Sequence, residues 1–251
     1  MKKPLDRFSI QSSAYKKHRP VYPSALYEEI LGHVITREKC WDCGTGNGQV
    51  AEALSTYFRQ VEASDLSENQ LAQAPNLPNV HYSIQRAENT NFADDQFDLI
   101  TVGQAVHWFD FEAFHSEVLR VSKPGGIVAI WGYGLLKVDE RIDELTTEFD
   151  RDIVGPYWDV ERRHIDSAYE TIPFNFDPIK VKHSFVIEES WNTDRLEGYF
   201  NSWSCVQNYK QKHSGNSPVS ALMERISEYW KAGETKKVSF PIFLRMGRID
   251  K

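Results

Sequence analysis

The sequence predicts an α/β fold: a doubly wound, mostly parallel sheet of seven strands, with an N-terminal arm and a helical insertion that forms a cap. Three observations favour this prediction. Short apolar segments alternate with amphipathic helical segments from residue 24 to residue 131, which is typical of parallel strands joined by crossover helices. A glycine-rich turn joins the first predicted strand to a helix. Residues 97–102 form a nearly continuous apolar run, as expected for a strand buried on both faces.

The composition indicates a globular protein with a sizeable core. The chain has 251 residues, of which 41% are hydrophobic and 13% aromatic, and its net charge is −7. This acidic balance disfavours a broad surface for nucleic acid or anionic membranes, and no apolar run reaches the length of a membrane span. We therefore expect a cytoplasmic protein that binds neither nucleic acid nor membrane, and a monomer or homodimer is also expected.

The elements are predicted in order from periodicity and turn residues. An arm covers residues 1–24, where Arg19-Pro20 and Tyr22-Pro23 favour an extended path. The predicted strands are residues 39–43, 61–65, 80–85, 97–102, 127–131, 183–187 and 238–245. The predicted helices are residues 24–35 with Ser24 as cap, 50–58, 67–74, 111–121, 191–209 and 222–231. Residues 134–180 follow no regular pattern and are interpreted as an insertion over the site.

The turn after the first strand reads Asp42-Cys43-Gly44-Thr45-Gly46-Asn47-Gly48. Glycine permits positive φ and a close approach of a ligand to the main chain, and the following helix offers unpaired N–H groups. A dinucleotide fingerprint needs a third glycine where Gln49 stands. A phosphate loop would end in Gly-Lys-Ser/Thr, which is missing from the turn. A ligand held by its phosphates is therefore disfavoured.

Asp65 ends the second predicted strand. An ionised carboxylate at this position suits a pair of ribose hydroxyls, because it accepts two hydrogen bonds at once. The alternative is that Asp65 joins Ser67 and Glu68 in the N-terminal cap of the next helix.

Cys40 and Cys43 have the spacing of a redox or metal pair. A zinc site would need two further ligands, and a redox pair should open a helix, whereas here the glycine turn separates the pair from the helix. We interpret both as small apolar residues of a buried strand.

These residues resemble one family: the small-molecule class I S-adenosylmethionine (SAM)-dependent methyltransferases of the trans-aconitate methyltransferase-like group. The resemblance covers nearly the whole chain and implies a Rossmann-like methyltransferase fold. Its most specific match is Gln104-Ala105-Val106-His107-Trp108-Phe109-Asp110, and the glycine turn is similar to motif I of these enzymes. The other matching residues are Phe8, Tyr15, Arg19-Pro20, Tyr22-Pro23, Asp65, Ala87-Glu88, Trp191 and Trp203-Ser204.

The resemblance implies SAM as the cofactor and gives roles to single residues. Asp42 would face the ammonium group of the methionine part, and Ala87-Glu88 would lie on the adenine side. The implied cofactor-binding residues are Tyr15, Arg19, Asp42, Gly44, Thr45, Gly46, Asp65, Leu66, Ala87, Glu88, Gln104 and Ala105. The arm is either a packing arm or a lid whose Tyr15 and Arg19 close on the cofactor carboxylate. An acceptor pocket would be walled by Trp108, Trp131, Tyr133 and Trp203, unless some of these are core residues.

The resemblance also implies one methyltransferase domain over residues 1–251. Its predicted parts are the arm at 1–24, a SAM-binding core at 25–133, a helical cap at 134–180 and 190–232, and the last strand at 233–251.

His107 is the candidate catalytic residue, because an imidazole with an ordinary pKa near ~6.5 can act as a base. The alternative is a strand-end histidine that orients the loop or contacts SAM. A carboxylate acceptor needs no base, so we expect methyl transfer to a small molecule, with O-methylation of a carboxylic acid as the finer hypothesis. The rival functions are a non-catalytic SAM-binding regulatory protein and an NAD-type Rossmann oxidoreductase. No metal-ligand cluster is predicted.

Overall fold

The computed structural model describes residues 20–251. Most of the predicted arm, including Phe8, Tyr15 and Arg19, lies outside this range. Within it the strands are β1 (Lys39–Cys43), β2 (Gln60–Asp65), β3 (Val80–Ile84), β4 (Phe97–Gly103), β5 (Ser122–Tyr133), β6 (Asp177–Ile179), β7 (Phe185–Trp191) and β8 (Lys236–Arg248). These eight strands form a sheet of order β3-β2-β1-β4-β5-β8-β6, in which β7 also pairs with β8.

The helices of the described range lie between these strands and in the segment after β5. They are α1 (Ser24–Leu31), α2 (Gln49–Ser55), α3 (Glu68–Leu71), α4 (Phe111–Val121), α5 (Glu140–Glu148), α6 (Arg163–Asp166), α7 (Thr193–Asn201), α8 (Ser204–Lys212) and α9 (Val219–Ile226). Short 3₁₀ helices cover Val106–Trp108, Gly155–Tyr157 and Val160–Arg162, and a π-helical turn covers Phe149–Ile153. None of the helices in residues 20–251 has the length and apolar character needed to cross a membrane.

The predicted fold class is confirmed. Strands β1 to β5 pair in parallel, and β8 runs antiparallel to β5, β6 and β7. The strand order reverses between β1 and β4, which makes this the switch point where ligands of doubly wound sheets bind, at the carboxyl ends of the strands.

Apolar residues cover both faces of the sheet, in two core clusters. Successive side chains of a strand point to opposite faces, so Cys40 belongs to one cluster and Cys43 to the other. Burial raises the pKa of both thiols well above the ordinary value. The two cysteines are free and buried, which confirms their interpretation as core residues and excludes a pair acting together.

Three sequence predictions are wrong in detail. The sheet has eight strands in residues 20–251 instead of seven, because the short β6 (Asp-Pro-Ile) lies in the presumed irregular insertion and is largely exposed. Ser24 does not cap α1: Pro23 occupies the cap position, and no side-chain hydrogen bond is made there. The fifth and last strands are longer than predicted.

The predicted helix over residues 191–209 is a further error. Trp191 is the last residue of β7, where its inward position follows the period of two along the strand. The remainder divides into α7 and α8, because the Ser202 hydroxyl bonds back to the Tyr199 carbonyl at 2.6 Å at the end of α7. The aromatic residues of this segment are spaced as they would be on one long helix, so the sequence does not indicate the boundary between α7 and α8.

Candidate cofactor and acceptor site

The glycine turn lies at the carboxyl end of β1, beside the end of β2. Gly44, Gly46 and Gly48 all have positive φ, at 69°, 56° and 82°. The N–H groups of Gly44 and Thr45 donate to the Ser64 carbonyl at 2.9 and 3.0 Å, which ties the turn to β2. Gly48 is the N-cap residue of α2, so the turn delivers the positive end of that helix to the site.

Asp42 lies beneath the turn and is almost completely buried. Its carboxylate accepts hydrogen bonds from the hydroxyls of Thr45 at 2.5 Å and Thr101 at 2.9 Å, and from the backbone N–H of Ala51 in α2. Burial raises its pKa to about 6 despite these donors, with a smaller contribution from Asp65. The expectation that Asp42 directly faces an ammonium group is therefore corrected: the acid is buried beneath the turn and supports it from inside.

Asp65 connects three parts of the site. Its Oδ2 accepts from the N–H of Gly46 at 2.8 Å, and its Oδ1 accepts from the N–H of Ser67 at 2.9 Å. Ser67 is itself the N-cap of α3 and accepts from Gln70, so part of the capping alternative is realised. A carboxylate accepts about four hydrogen bonds, so these backbone donors leave the ribose hypothesis open.

The residues expected on the adenine side lie next to Asp65 and after β3. Leu66 is 39% exposed, so it presents an apolar surface beside the carboxylate. Ala87 is buried. The Glu88 carboxylate accepts from the backbone N–H of Asp110 at 3.0 Å and from Nε of Arg86 at 3.2 Å. Glu88 therefore fixes the start of α4, whatever else it contacts.

Gln104 and Ala105 follow β4 and contact the glycine turn and β5. Gln104 has a φ of 55°, which is uncommon for a residue with a side chain. Its side-chain amide accepts from the N–H of Tyr133 at 2.9 Å and donates to the Tyr133 carbonyl at 3.1 Å. A Cβ on Gly44 would come within 2.6 Å of the Ala105 Cβ. The ends of β1, β4 and β5 are thus held together at one point.

One feature of this region fits the close approach of a ligand such as SAM to the main chain. No heavy atom of the described chain lies within 4 Å of the position that a Cβ on Gly46 would take, so a ligand can reach the backbone there. The Trp131 indole N–H, beside Gly103, is buried and has no hydrogen-bond partner among residues 20–251. This side chain is completely buried, so its unsatisfied donor is enclosed by the core and is not evidence for a ligand.

A cavity of about 60 Å³ adjoins this region under the segment that follows β5. Its lining includes three of the four predicted acceptor residues, namely Trp108, Tyr133 and Trp203, together with Gln104 and His107. The fourth, Trp131, does not line it: this side chain is completely buried against Tyr22 in the core.

Part of the cavity wall was not predicted from the sequence. The missed lining residues include Trp158, Asp159, Arg162, Ile165 and Tyr199. Most of them lie in short 3₁₀ and helical turns of residues 155–166, where no periodic pattern marks a face. The available signal was a tryptophan next to charged residues in an irregular segment.

His107 is buried in the wall of the cavity, and its Nδ1 lies 3.0 Å from the Tyr169 hydroxyl. Burial lowers the pKa of His107 to about 3, with further lowering by the charges of Arg162 and His164. An imidazole with that pKa is neutral at any working pH and is a weak base. The catalytic role of His107 stays a prediction, and its burial and its contact with Tyr169 favour the orienting alternative. No group of three or more potential metal ligands occurs within residues 20–251.

The fold and the glycine turn define a Rossmann-like methyltransferase. Residues 41–130 match the family described as a methyltransferase domain. A Dictyostelium discoideum protein named as a methyltransferase is 31% identical over 252 residues, which is 97% of this chain and 95% of that protein. A solved structure from Anaeromyxobacter dehalogenans, described as a type II methyltransferase, superposes with a TM-score of 0.84 at 33% identity, over 92% of this chain and 98% of that one.

A Saccharomyces cerevisiae protein named as a SAM-dependent methyltransferase is 26% identical over 134 residues, which is 50% of this chain and 46% of that protein. The chain belongs to the methyltransferase family. It is an enzyme whose cofactor is SAM, so the oxidoreductase alternative is excluded.

Two glycine variants separate folding from cofactor access. We expect Gly46→Ala to cost about 1–2 kcal/mol of stability, the penalty of a left-handed alanine, and to weaken SAM binding strongly because its methyl group fills the open space. Gly44→Ala should destabilise the fold further, since its Cβ collides with Ala105. Thermal unfolding and titration calorimetry with SAM measure both effects. Normal SAM affinity in a folded Gly46→Ala variant would contradict the proposed approach of the ligand to this glycine.

Proposed function

We propose that the enzyme transfers the methyl group of SAM to a small-molecule acceptor held in the aromatic cavity, and that the methylated group is a carboxylate. The observation that carries this proposal is the position of the cavity. Gln104 and His107 line it, and Ala105 between them lies against the glycine turn. The acceptor site thus begins where the proposed cofactor site ends, as direct transfer between two bound molecules requires.

The cofactor site proposed here keeps the residues identified from the sequence, with the corrected role of Asp42. The ribose would bind at Asp65, the adenine beside Leu66 and Ala87, and the methionine part along Gly44 and Gly46. Tyr15 and Arg19 remain predicted cofactor contacts outside the described residues. Residues 134–180 and 190–232 are proposed to form the cap over the acceptor.

SAM supplies a methyl group on a sulfonium sulfur: as the acceptor oxygen bonds to the methyl carbon, the carbon–sulfur bond breaks and its electron pair stays on sulfur. The chain must therefore orient the acceptor, exclude water and leave the nucleophile reactive. A carboxylate is already ionised at neutral pH and needs no proton removed. The weak basicity of His107 supports such an acceptor over an alcohol or amine.

The run around His107 resembles that of the trans-aconitate methyltransferase-like group. We propose membership of that group from this run, and we keep the cytoplasmic location and the monomeric or homodimeric state as predictions.

The function is tested by binding and turnover together. We expect calorimetry to show SAM binding and no NAD binding, and incubation with SAM and a panel of carboxylic acids to yield S-adenosylhomocysteine and a methyl ester, identified by mass spectrometry. Alcohols and amines of matched shape are the controls. Turnover of the amines alone would contradict the carboxylate acceptor. SAM binding without turnover of any acceptor would favour a non-catalytic SAM-binding protein.

A further inference from the structure

The imidazole of His107 has one nitrogen committed to the protein and one directed to the cavity. Nδ1 pairs with the Tyr169 hydroxyl at 3.0 Å. No hydrogen bond from Nε2 to any part of residues 20–251 is found, and the ring lines the cavity. A phenol O–H is a better donor than a phenol oxygen is an acceptor, so the expected arrangement has Tyr169 donating to Nδ1. Neutral imidazole then carries its single proton on Nε2, which makes this atom a donor to whatever occupies the cavity.

Tyr169 is held in place by several independent contacts. Its side chain is completely buried, and its ring packs edge-on against Phe243 with centroids 4.9 Å apart. The Arg245 guanidinium donates to its carbonyl at 2.5 Å. Tyr169 and the preceding Ala168 both have positive φ, at 61° and 50°. Two consecutive residues in this strained region are retained only where the surroundings fix them, so the hydroxyl that meets His107 has a defined position.

Arg162 brings a second set of donors to the same cavity. Its side chain is only 15% exposed, and its Nε donates to Asp166 at 3.2 Å. The guanidinium carbon lies 4.5 Å from the centre of the Trp158 ring, which also lines the cavity. Within residues 20–251 neither Nη atom of Arg162 makes a hydrogen bond. The outer edge of a guanidinium is the part that binds carboxylates with two parallel hydrogen bonds.

We propose that His107 and Arg162 form a subsite for a negatively charged group of the acceptor, distinct from the atom that is methylated, and that Tyr169 is the positioning residue that keeps the His107 Nε2–H directed into this subsite. The inference rests on the proposed function and adds specificity-determining residues to it. Trp108, Trp158 and Trp203 wall the cavity, so the body of the acceptor is flat. A carboxylate held by two strong donors is a poorer nucleophile, which is why the bound group and the reacting group are different.

Asp159 also lines the cavity, and it defines the competing possibility of a cationic acceptor. Within residues 20–251 the side-chain hydrogen bond and ion pair of Arg162 go to Asp166 and not to the Asp159 carboxylate. Because Arg162 is paired through Nε with Asp166, the expected preference for anions depends on the donors at the outer edge of its guanidinium and on the Nε2–H of His107. An ammonium probe of equal shape tests this directly.

The experiment measures binding of benzoate, trans-cinnamate, their primary amides and benzylamine by calorimetry, with the enzyme saturated by S-adenosylhomocysteine. The wild type is expected to bind at least one acid about 10- to 100-fold more tightly than its amide, the range for a charge-assisted bidentate pair. Arg162→Gln should remove this preference, and Arg162→Lys should keep part of it. The matched control is Arg163→Gln, because Arg163 is the neighbouring exposed arginine and does not line the cavity.

Tyr169 is tested by a readout that a purely structural role would not change. In ¹⁵N spectra of histidine-labelled enzyme, His107 is expected to be neutral with its proton on Nε2 at pH 7. Tyr169→Phe should convert it to a mixture of tautomers and reduce acid binding about 3- to 10-fold, at an unchanged affinity for SAM. The control is Tyr229→Phe, at a half-exposed site.

The outcomes separate this proposal from the proposed function. Failure of the wild type to bind SAM would refute the function itself. Normal SAM binding with tighter binding of benzylamine than of the acids, equal binding of acids and amides, or no binding of either acid would overturn the anion subsite alone. Equal loss of acid and amide binding in a folded Arg162→Gln variant would also overturn it, and a His107 proton on Nδ1 would overturn the role of Tyr169.

Discussion

Asp65→Ala is expected to weaken SAM binding by about 1–3 kcal/mol, which is a rise of roughly 5- to 150-fold in the dissociation constant. The carboxylate accepts from Gly46 and Ser67, so its loss acts in two ways. It removes the proposed acceptor for the ribose hydroxyls, and it removes one of the hydrogen bonds that tie the glycine turn to the end of β2. Both effects lower the affinity for SAM, so the affinity of this variant alone does not show which of the two causes acts.

A comparison of cofactor analogues assigns the effect. Loss of ribose bonding predicts that Asp65→Ala binds S-adenosylhomocysteine and its 2′,3′-dideoxy analogue with similar affinity, whereas the wild type strongly prefers the hydroxylated form. Loss of turn geometry alone predicts that both proteins keep that preference. The control is Glu68→Gln, three residues away and exposed, which should leave affinity unchanged. A retained preference in Asp65→Ala would refute ribose binding at this carboxylate.

The core of the fold was predictable because its signals are local. Alternation of buried strands with amphipathic helices identifies β1 to β5, and three glycines at alternate positions identify the turn. The structure gives each of these glycines a positive φ, as their spacing indicated. Cys40 and Cys43 were predicted as core residues because the glycine turn separates them from the helix and no second pair of zinc ligands was found. In each case one segment of sequence contains the whole argument.

The acceptor side was harder to predict because its contacts join distant segments. Tyr169 meets His107 across 62 residues, and Arg162 packs on Trp158 inside short turns that have no period. The pKa of His107 was taken as ordinary at first, since only the fold shows that the ring is buried beside an arginine. Trp131 was expected in the acceptor wall and instead packs in the core. A side chain's type predicts its chemistry, but its surroundings decide whether that chemistry is available.

Two buried aspartates at opposite ends of the sheet differ in the direction in which the fold shifts their pKa values. Asp98, near the start of β4, accepts from Lys123, from Thr36 and from the N–H groups of Glu38 and Lys39. Burial acts to raise its pKa, but Lys123 and the other donors outweigh burial and lower it. Asp42, at the other end of the sheet, keeps a raised pKa. A carboxylate whose ionised form is disfavoured by the fold is a mark of a functional site.

Asp42→Asn is therefore expected to stabilise the protein while it weakens cofactor binding. The ordinary pKa of 3.8 rises to about 6 on folding, so ionised Asp42 costs the native state roughly 3 kcal/mol above pH 6. In the wild type this cost disappears as the pH falls through 6 toward 4, because the native state takes up a proton that the unfolded state does not. The asparagine lacks the charge, so at pH 8 we expect the free energy of unfolding to rise by about 1–3 kcal/mol.

The asparagine can keep the local hydrogen bonds. Its Oδ1 can accept from Thr45 and Ala51, and its Nδ2 can donate to the Thr101 hydroxyl. That hydroxyl can then donate its own proton to the Trp41 carbonyl, which lies 3.4 Å away. The negative charge beneath the turn is what changes, and this charge favours a cationic sulfonium and ammonium above it. SAM affinity of the wild type should thus rise from pH 5 to pH 8 as Asp42 ionises, while that of Asp42→Asn should stay flat over the same range.

Chemical denaturation and calorimetry at pH 5, 6, 7 and 8 measure both quantities. The contrasting variant is Asp98→Asn, which should lose about 2–3 kcal/mol of stability at pH 8, the scale of hydrogen bonds to a charged group, at unchanged SAM affinity. If Asp42→Asn instead lost stability at pH 8 and kept full SAM affinity, Asp42 would be an ordinary structural acid like Asp98. The raised pKa would then have no link to the cofactor, since binding of a cation must favour the ionised carboxylate by as much as the carboxylate favours the cation.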